Sequence, residues 1–262
     1  MTARVLIVSF LLVAVIGVAA AQEKPQVPSC DALAAALNAV ARNDARVRDW
    51  GNLARYKDVN RTLPAPAAGE ARVVFMGDSI TDAWPQPRYG SFFTGKPYVG
   101  RGISGQTTPQ MLLRFRPDVI DLKAKVVVVL AGTNDIAGNT GPYSNEEIQG
   151  NVQSMAELAK ANGIKVVLSS ILPVSAYHQA PAAPLPQTML RPMARIRAVN
   201  DWMKSYAAAN GHVYLDYFSA MADETGHLRT ELSEDDLHPN AKGYAIMGPL
   251  AEAAIQRALR QP

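Results

Sequence analysis

The sequence predicts an α/β fold in which a five-stranded parallel sheet lies between two layers of helices, a three-layer α/β/α sandwich. Five short runs rich in Val, Ile and Leu alternate along the chain with segments of helical periodicity. The runs are nearly continuous in apolar residues, which is typical of strands covered on both faces. The chain has 262 residues, of which 48% are hydrophobic, so it is long enough for one large core.

Residues 1–21 have the features of a secretory signal peptide. Arg4 precedes an apolar run from Val5 to Val18, and small residues follow as far as Ala21. We therefore expect cleavage near Ala21 and a secreted or periplasmic protein. An N-terminal membrane anchor is the alternative, but the run is shorter than the ~20 residues that a spanning helix needs, so no stable membrane span is expected after cleavage.

Residues 22–70 predict an N-terminal helical preamble and linker. Apolar residues recur at helical spacing, first around Leu33 and again around Trp50, which indicates helices that pack on the main domain. The PAPAAGEAR segment that follows is a short linker to the first strand. Cys30 is the only cysteine, so no intramolecular disulfide is possible.

The main domain comprises residues 71–262. In chain order its predicted elements are a strand over RVVFM, a helix that opens near Ser79, a strand over PYVG, a helix over TPQMLLRF, a strand over AKVVVVLAG, a helix from Asn145 to Asn162, a strand over IKVVLSSIL, a helix from Met189 to Ala209, a strand over HVYLDY and a terminal helical stretch from Asn240. That stretch is interrupted at Gly248 and Pro249, which predicts a kink or two short helices. The proline-rich segment 173–192 predicts a long loop at the functional edge of the sheet.

A serine follows the first predicted strand at a tight turn. The stretch VVFMGDSITDAW runs from apolar residues into Gly77, Asp78 and Ser79 and then becomes polar. Two interpretations of Ser79 are open at this point. It caps the following helix, as serine often does, or it is a nucleophile beyond the carboxyl end of the strand, where sites form in such folds.

Near the other end of the chain, the DDLHPN motif places Asp235 three residues before His238. On one short turn, the carboxylate can accept a hydrogen bond from one imidazole nitrogen while the other nitrogen faces a serine hydroxyl. This arrangement is what a general base requires. A solvated loop histidine is the alternative for His238. His178, in the 173–192 loop, is a weaker candidate for substrate contact.

Two further strand ends carry groups suited to stabilising an oxyanion. GRGISGQTT follows the second strand and AGTND follows the third. Backbone N–H groups and an asparagine amide are suitable donors, and the loss of one typically costs ~3 kcal/mol of transition-state stabilisation. We expect the donors to be the N–H groups of Ser79 and Gly105 and the side-chain amide of Asn134.

Together and in this order, GDSIT, GRGISGQTT, GTND and DDLHPN resemble the four sequence blocks of the SGNH (GDSL-type) hydrolase superfamily. The resemblance extends from about Val73 to the C-terminus, and within the superfamily this segment resembles secreted bacterial acylhydrolases and the catalytic subunits of platelet-activating-factor acetylhydrolase. It implies a flavodoxin-like fold and a hydrolase domain over residues 71–262. The site residues that it implies are the nucleophile Ser79, the base His238, the orienting acid Asp235 and the oxyanion-hole residues Ser79, Gly105 and Asn134.

One position departs from the family pattern. Many members begin the second block with asparagine, where this chain has Gly100. The altered turn allows Arg101 to point toward the site and favour an anionic or polar substrate, although a surface arginine explains the sequence equally well. Asp78 is expected to tighten the turn around Ser79 by local hydrogen bonds. Asp78, Arg101 and His178 are also candidates for substrate contact.

The expected function is hydrolysis of carboxylic esters through an acyl-enzyme on the serine. Short acyl groups such as acetyl are favoured because the 173–192 loop offers no long stripe of large aliphatic side chains. The substrate is expected to be a small-molecule, carbohydrate or lipid ester, and lysophospholipids and thioesters are alternatives. Scattered charges with a net charge of +3 do not indicate nucleic acid. No cofactor is expected, and no clustered ligand set indicates a metal.

Three other functions are disfavoured. GRGISG fits the dinucleotide-binding pattern G-x-G-x-x-G, but it follows the second strand instead of opening the sheet, and export would remove the protein from the cytoplasmic NAD pool, which argues against an oxidoreductase. No G-x-S-x-G occurs, which argues against the α/β-hydrolase arrangement. A non-catalytic carbohydrate-binding relative is disfavoured because the catalytic positions all hold the expected residue types.

Overall fold

The computed structural model describes residues 29–178 and 185–261. The chain divides into two compact units, Met1–Asp44 and Ala45–Pro262. Helix α1 (Cys30–Arg48) begins in the first unit and ends in the second.

The predictions for the N-terminal part of the chain have different outcomes. The predicted signal peptide, residues 1–21, lies outside the described residues. Helix α1 is present, and Leu33 and Leu37 are 48% and 69% exposed. The packing of this helix on the main domain stays a prediction. In the part of the chain that the structure describes, none of the helices combines the length and the apolar character needed to cross a membrane.

The second unit is built on a five-stranded parallel sheet. Its strands are β1 (Val73–Gly77), β2 (Tyr98–Gly102), β3 (Val126–Leu130), β4 (Lys165–Ser169) and β5 (Val213–Leu215). Their order across the sheet is β2-β1-β3-β4-β5, and every neighbouring pair is parallel. This is the flavodoxin-like order, so the predicted fold class is confirmed. The order reverses at β1 and β3, and sites in such sheets form beyond the carboxyl ends of the strands at this reversal.

Helices cover both faces of the sheet. They are α2 (Lys57–Thr62), α3 (Ser79–Ala83), α4 (Thr108–Leu113), α5 (Thr133–Ile136), α6 (Asn145–Ala161), α7 (Gln187–Leu190), α8 (Met193–Asn210), α9 (Tyr217–Met221) and α10 (Ala241–Arg260). The one helix predicted from Met189 to Ala209 is in fact α7 and α8. Pro192 disfavours helical backbone at the residue before it, and Arg191 accordingly has φ −129° and ψ 76°.

The C-terminal helix α10 runs unbroken through Pro249, so the prediction of two short helices is wrong. Met247 and Ala251, on either side of the proline, are fully buried. Their packing against the sheet keeps the segment helical although the proline removes one backbone hydrogen bond.

Alternate residues of each strand point into two separate cores. In β1, Val74 and Met76 pack in one core with residues of α4, α6 and α8, while Val73 and Phe75 pack in the other with residues of α3 and α10. All five residues of β1 and of β3 are buried. Burial on both faces explains the nearly continuous apolar runs, and it leaves the carboxyl edge of the sheet for polar groups.

Candidate active site

Ser79 is the first residue of α3, directly beyond the carboxyl end of β1. A Cβ at Gly77 would lie 2.1 Å from the Thr81 Oγ1, so only glycine allows so tight a turn. The N-cap of α3 is Asp78, whose Oδ1 accepts a hydrogen bond from the Ile80 N–H at 3.0 Å. The interpretation of Ser79 as the helix cap is therefore wrong, and its hydroxyl has another partner.

His238 is that partner. The Ser79 Oγ lies 2.9 Å from the His238 Nε2, and the His238 Nδ1 lies 2.6 Å from the Asp235 Oδ2. The Nδ1–H donates to the carboxylate, which leaves Nε2 to accept from the serine hydroxyl. The hydroxyl and the imidazole are 159 positions apart in the sequence, and the fold brings them into hydrogen-bond contact.

Asp235 is held by the turn that it orients. Its Oδ1 accepts hydrogen bonds from the backbone N–H groups of Leu237 at 3.1 Å and His238 at 2.7 Å. Burial acts to raise the pKa of Asp235, but the hydrogen bonds from the His238 ring and backbone outweigh it and hold the pKa well below its usual range. Asp235 is therefore ionised at neutral pH and fixes the tautomer of the ring.

Gly105 and Asn134 lie beyond the two strands that flank β1. The register pairs the last residue of β1 with the last residues of β2 and β3, so the three strand ends lie side by side. Gly105 has φ +80°, a conformation that favours glycine, and its carbonyl accepts from the Asn139 amide at 3.1 Å. The Asn134 Nδ2 donates to the Gln106 carbonyl at 3.0 Å, which holds the amide beside the Gly105 loop.

Asp78 is a buried carboxylate with one unpaired oxygen. Its side chain has no exposed surface, and its Oδ2 has no hydrogen-bond partner among the described residues. Burial raises the pKa of Asp78 to about 6, against the opposing effects of the Ile80 N–H and the nearby His238 and Arg191. The prediction of substrate contact is therefore wrong for Asp78, whereas the predicted local hydrogen bond is present.

Arg101 does not point toward the site. Its side chain is buried, its Nε and Nη2 donate to the Asn60 Oδ1 at 2.9 and 2.7 Å, and its guanidinium lies over the Tyr56 ring at 4.7 Å from the centroid. Arg101 lies within β2, in register with Met76. Side chains inside a strand project from the faces of the sheet and not from its carboxyl edge, so Arg101 points away from the site. The prediction of substrate contact by Arg101 is wrong.

Asp236 is a residue that sequence reasoning missed. It is buried and has φ +66°, and its carboxylate accepts from the backbone N–H groups of Tyr177 at 3.0 Å and His178 at 2.8 Å. The His178 ring also lies against it, with Nδ1 at 3.1 Å from Oδ1, and the Ser175 hydroxyl donates to the same oxygen. Asp236 thus attaches the segment after β4 to the turn that carries His238. No motif distinguishes it from its neighbour Asp235.

Arg191 is the second missed residue. It is buried at the break between α7 and α8, where its Nε donates to the Thr133 Oγ1 at 3.0 Å and its Nη2 lies 3.4 Å from the Asn134 Oδ1. Burial lowers the pKa of Arg191, and the charges of Asp78 and Asp235 act to raise it. An arginine stays charged under such conditions. The only sequence signal for this position is the proline that follows it.

Known proteins resemble this chain in sequence and in fold. The model of the GDSL-like lipase/acylhydrolase family matches residues 75–246, more than half of the chain. Over 79 residues the chain is 37% identical to the Bacillus subtilis lipoprotein YqeF. That match spans 29% of this chain and 32% of YqeF, about a third of the relative's length.

Solved structures resemble most of the chain. A GDSL-like lipase from Bacteroides thetaiotaomicron is 42% identical, with a TM-score of 0.72 over 79% of this chain and 98% of that one. A candidate acylhydrolase from Bacteroides fragilis is 42% identical, with a TM-score of 0.74 over 80% and 99%. Axe2, an acetylxylan esterase from Geobacillus stearothermophilus, is similar in fold at 19% identity, with a TM-score of 0.57 over 73% and 95%. The chain belongs to the GDSL-like lipase/acylhydrolase family, and the ester hydrolysis expected from its sequence agrees with that membership.

Proposed function

We propose that this protein is a serine esterase that cleaves short-chain carboxylic esters through an acyl-enzyme. The observation that carries the proposal is the unbroken line of hydrogen bonds from the Ser79 Oγ through both nitrogens of His238 to the Asp235 carboxylate. A hydroxyl is a weak nucleophile unless an adjacent base takes its proton, and this line supplies such a base in the required tautomer.

The reaction has two steps. The Ser79 Oγ attacks the acyl carbon while the His238 Nε2 accepts the hydroxyl proton, and the resulting imidazolium is stabilised by Asp235. The tetrahedral intermediate collapses as His238 returns the proton to the departing alcohol, which leaves an ester between the acyl group and Ser79. Water then attacks this ester with His238 as base, and the acid and free Ser79 are released.

The oxyanion is stabilised by the N–H groups of Ser79 and Gly105 and by the Nδ2–H of Asn134 that does not bond to the Gln106 carbonyl. Arg191 acts through Asn134 as a positioning residue. Its guanidinium, near the amide oxygen, fixes which end of the amide faces the substrate and withdraws electron density from the donating N–H. Its positive charge also offsets the buried carboxylate of Asp78.

The preferred acyl group is acetyl. Val174 packs in the core instead of lining a channel for an acyl chain, and two of the loop's other large apolar residues, Leu185 and Met189, are exposed. The fold is also that of Axe2, which is described as an acetylxylan esterase. Lysophospholipids and thioesters are the alternative substrates. Residues 1–21 are proposed to direct export, and the similarity to the lipoprotein YqeF supports this.

The test is the turnover of 4-nitrophenyl acetate by Ser79→Ala. We expect the variant to lose at least about 1,000-fold in kcat, because the nucleophile and the base act as a unit. Ser205→Ala, on the surface of α8, is the matched control and should keep wild-type turnover. Wild-type turnover by Ser79→Ala would disprove the assignment of the nucleophile. In a series of 4-nitrophenyl esters, a maximum at eight carbons or more would contradict the acetyl preference.

A further inference from the structure

A cleft of about 780 Å³ adjoins Gly105. One wall is the segment 49–54, which precedes α2, and the other wall comprises the loop between β2 and α4 together with Asn139 and Thr140. Gly105 therefore belongs both to the cleft and to the proposed oxyanion hole. A molecule in the cleft would lie next to the point at which an acyl group reacts.

The segment 49–54 is firmly attached to this loop. The Gln110 Nε2 donates to the Trp50 carbonyl at 2.7 Å, and the Gln106 Nε2 donates to the Gly51 carbonyl at 2.8 Å. The two carboxylate oxygens of Asp49 accept from the N–H groups of residues 53 and 54 at 2.7 and 2.9 Å. The backbone that carries the Trp50 side chain is thus fixed by side chains from its own turn and from the opposite wall.

The Gln106 side chain that donates to Gly51 also accepts a hydrogen bond from a buried arginine. Arg114, fully buried, donates from its Nε to the Gln106 Oε1, and the same guanidinium donates to the Gly77 carbonyl at 2.9 Å beside the serine turn. The cleft wall and the turn of Ser79 therefore share a buried support. A pre-formed wall of this kind binds a ligand without the cost of ordering a loop.

The chemistry of the walls favours a neutral, polyhydroxylated ligand. The Trp50 side chain is 40% exposed, and its flat apolar face suits the C–H face of a pyranose ring. Around it lie hydrogen-bonding groups of both kinds, from Asn52, Ser104, Gln110 and Asn139. No lysine or arginine stands among the described lining residues, so a phosphate headgroup would find no cation there. Asn139, Gln110 and Ser104 already bond within the protein, but each keeps donor or acceptor capacity for a sugar hydroxyl. An aliphatic chain would leave that capacity unused.

We propose that this cleft binds the alcohol part of the ester, that this alcohol is a neutral oligosaccharide, and that Trp50 is the stacking platform for one of its sugar rings. The proposal rests on the proposed esterase function, because it assigns to the acetyl ester a sugar on its alcohol side. Segment 49–54 then determines specificity for the leaving group, whereas Ser79 and His238 act on the acyl group.

The first experiment compares kcat/KM for acetylated xylotetraose and acetylated cellotetraose with kcat/KM for 4-nitrophenyl acetate, whose alcohol is a single ring without hydroxyls. In the wild type, one of the two sugar esters should be preferred over acetylated lysophosphatidylcholine. Trp50→Ala should lower the ratio of sugar-ester to aryl-ester kcat/KM about 10-fold, which corresponds to the loss of one good ring contact. Trp50→Phe keeps an aromatic face and should restore most of the ratio. Leu158→Ala, an exposed residue of α6, is the control that should leave both rates unchanged.

The second experiment uses the unacetylated xylotetraose and cellotetraose, which contain no ester, so binding is measured without turnover. Calorimetry with the full chain should detect binding of at least one of them to the wild type and to Trp50→Phe, and binding about 10-fold weaker to Trp50→Ala. An unchanged ratio in Trp50→Ala, a wild-type preference for acetylated lysophosphatidylcholine, or no binding of either oligosaccharide would overturn the proposal. If only the cleft proposal is wrong, turnover of 4-nitrophenyl acetate will still depend on Ser79. Retained turnover in Ser79→Ala would instead reject the esterase mechanism, whatever the calorimetry shows.

Discussion

The two halves of the site are held in different ways. On the serine side, Ser79 is placed by backbone, because a buried strand ends at Gly77 and the next helix begins at once with Asp78 as its cap. On the histidine side, His238 follows a loop and is placed by side chains, since two adjacent carboxylates accept the hydrogen bonds that shape the turn. The fold itself fixes the position of the serine, whereas single side chains fix the position of the imidazole. Substitutions on the two sides should therefore differ in how they change turnover and stability.

The largest effect is expected from removing the base. His238→Ala should lower kcat/KM for 4-nitrophenyl acetate at least about 1,000-fold, because Ser79 then has no proton acceptor. The double variant Ser79→Ala/His238→Ala should be no slower than either single variant, since the two residues act as one unit. His212→Ala, directly before β5, is the control and should keep wild-type activity. If the loss of kcat/KM in the double variant equalled the product of the two single losses, the two side chains would act independently.

The sequence predicts the residues on the serine side of the site more fully than those on the histidine side. An apolar strand followed by Gly-Asp-Ser leaves few geometries, and the strand ends that carry Gly105 and Asn134 follow from the parallel sheet. The sequence does not indicate the role of Asp236, because Asp235 and Asp236 are the same residue type and the left-handed φ of Asp236 is a property of the folded turn. The sequence also made Arg101 a candidate for substrate contact. The structure contradicts this, because Arg101 lies within β2 and its side chain projects from a face of the sheet and not from the carboxyl edge.

Arg191 was missed for a related reason. Its segment has helical periodicity on both sides, so the sequence favours one continuous helix over the break that the structure has between α7 and α8. Only that break brings the guanidinium to the amide of Asn134. Long-range contacts of a single polar side chain have no periodicity and no spacing from which they could be predicted.

The second prediction separates the two adjacent carboxylates. In Asp235→Asn the amide oxygen can still accept from the backbone of the turn, but an amide N–H facing the His238 Nδ1 favours the wrong tautomer, so kcat should fall about 100-fold. In Asp236→Asn the tautomer is unaffected and the loss comes only from weaker attachment of Tyr177 and His178, so kcat should fall about 10-fold or less.

Steady-state kinetics on 4-nitrophenyl acetate measure both losses, and urea unfolding provides the contrast. Asp236→Asn should lower the free energy of unfolding more than Asp235→Asn does, because Asp236 is 4% exposed and Asp235 is on the surface side of the turn. Equal losses of kcat in the two variants would mean that the carboxylates share one structural role.

The third prediction tests the oxyanion side through Arg191. Arg191→Met keeps an unbranched side chain but removes the charge and the contact to the Asn134 amide, so kcat for 4-nitrophenyl acetate should fall about 10-fold while KM stays within about twofold. Arg191→Lys keeps the charge and should recover part of the loss. A purely structural role predicts a lower melting temperature with kcat and KM unchanged at temperatures at which the variant is folded. That outcome would exclude a role for Arg191 in positioning the Asn134 amide.

The smallest effect on activity, and the sharpest on stability, is expected at Asp78. Its pKa is about 6 in the folded protein against an ordinary value of 3.8, so between these two pH values the folded chain keeps a proton that the unfolded chain has lost. The free energy of unfolding therefore falls as pH rises through this window, and above the window the charged Asp78 lowers it by about 3 kcal/mol.

Asp78→Asn keeps the oxygen that caps α3 and has no proton to lose, so its stability relative to wild type should increase between pH 4 and pH 7.5. Urea unfolding of both proteins at these two pH values measures the change. Ser205→Ala, on the surface of α8, is the control because it removes no titratable group. The same stability difference at both pH values would mean that Asp78 is already charged in the folded protein at pH 4, with Arg191 neutralising it more strongly than burial disfavours it.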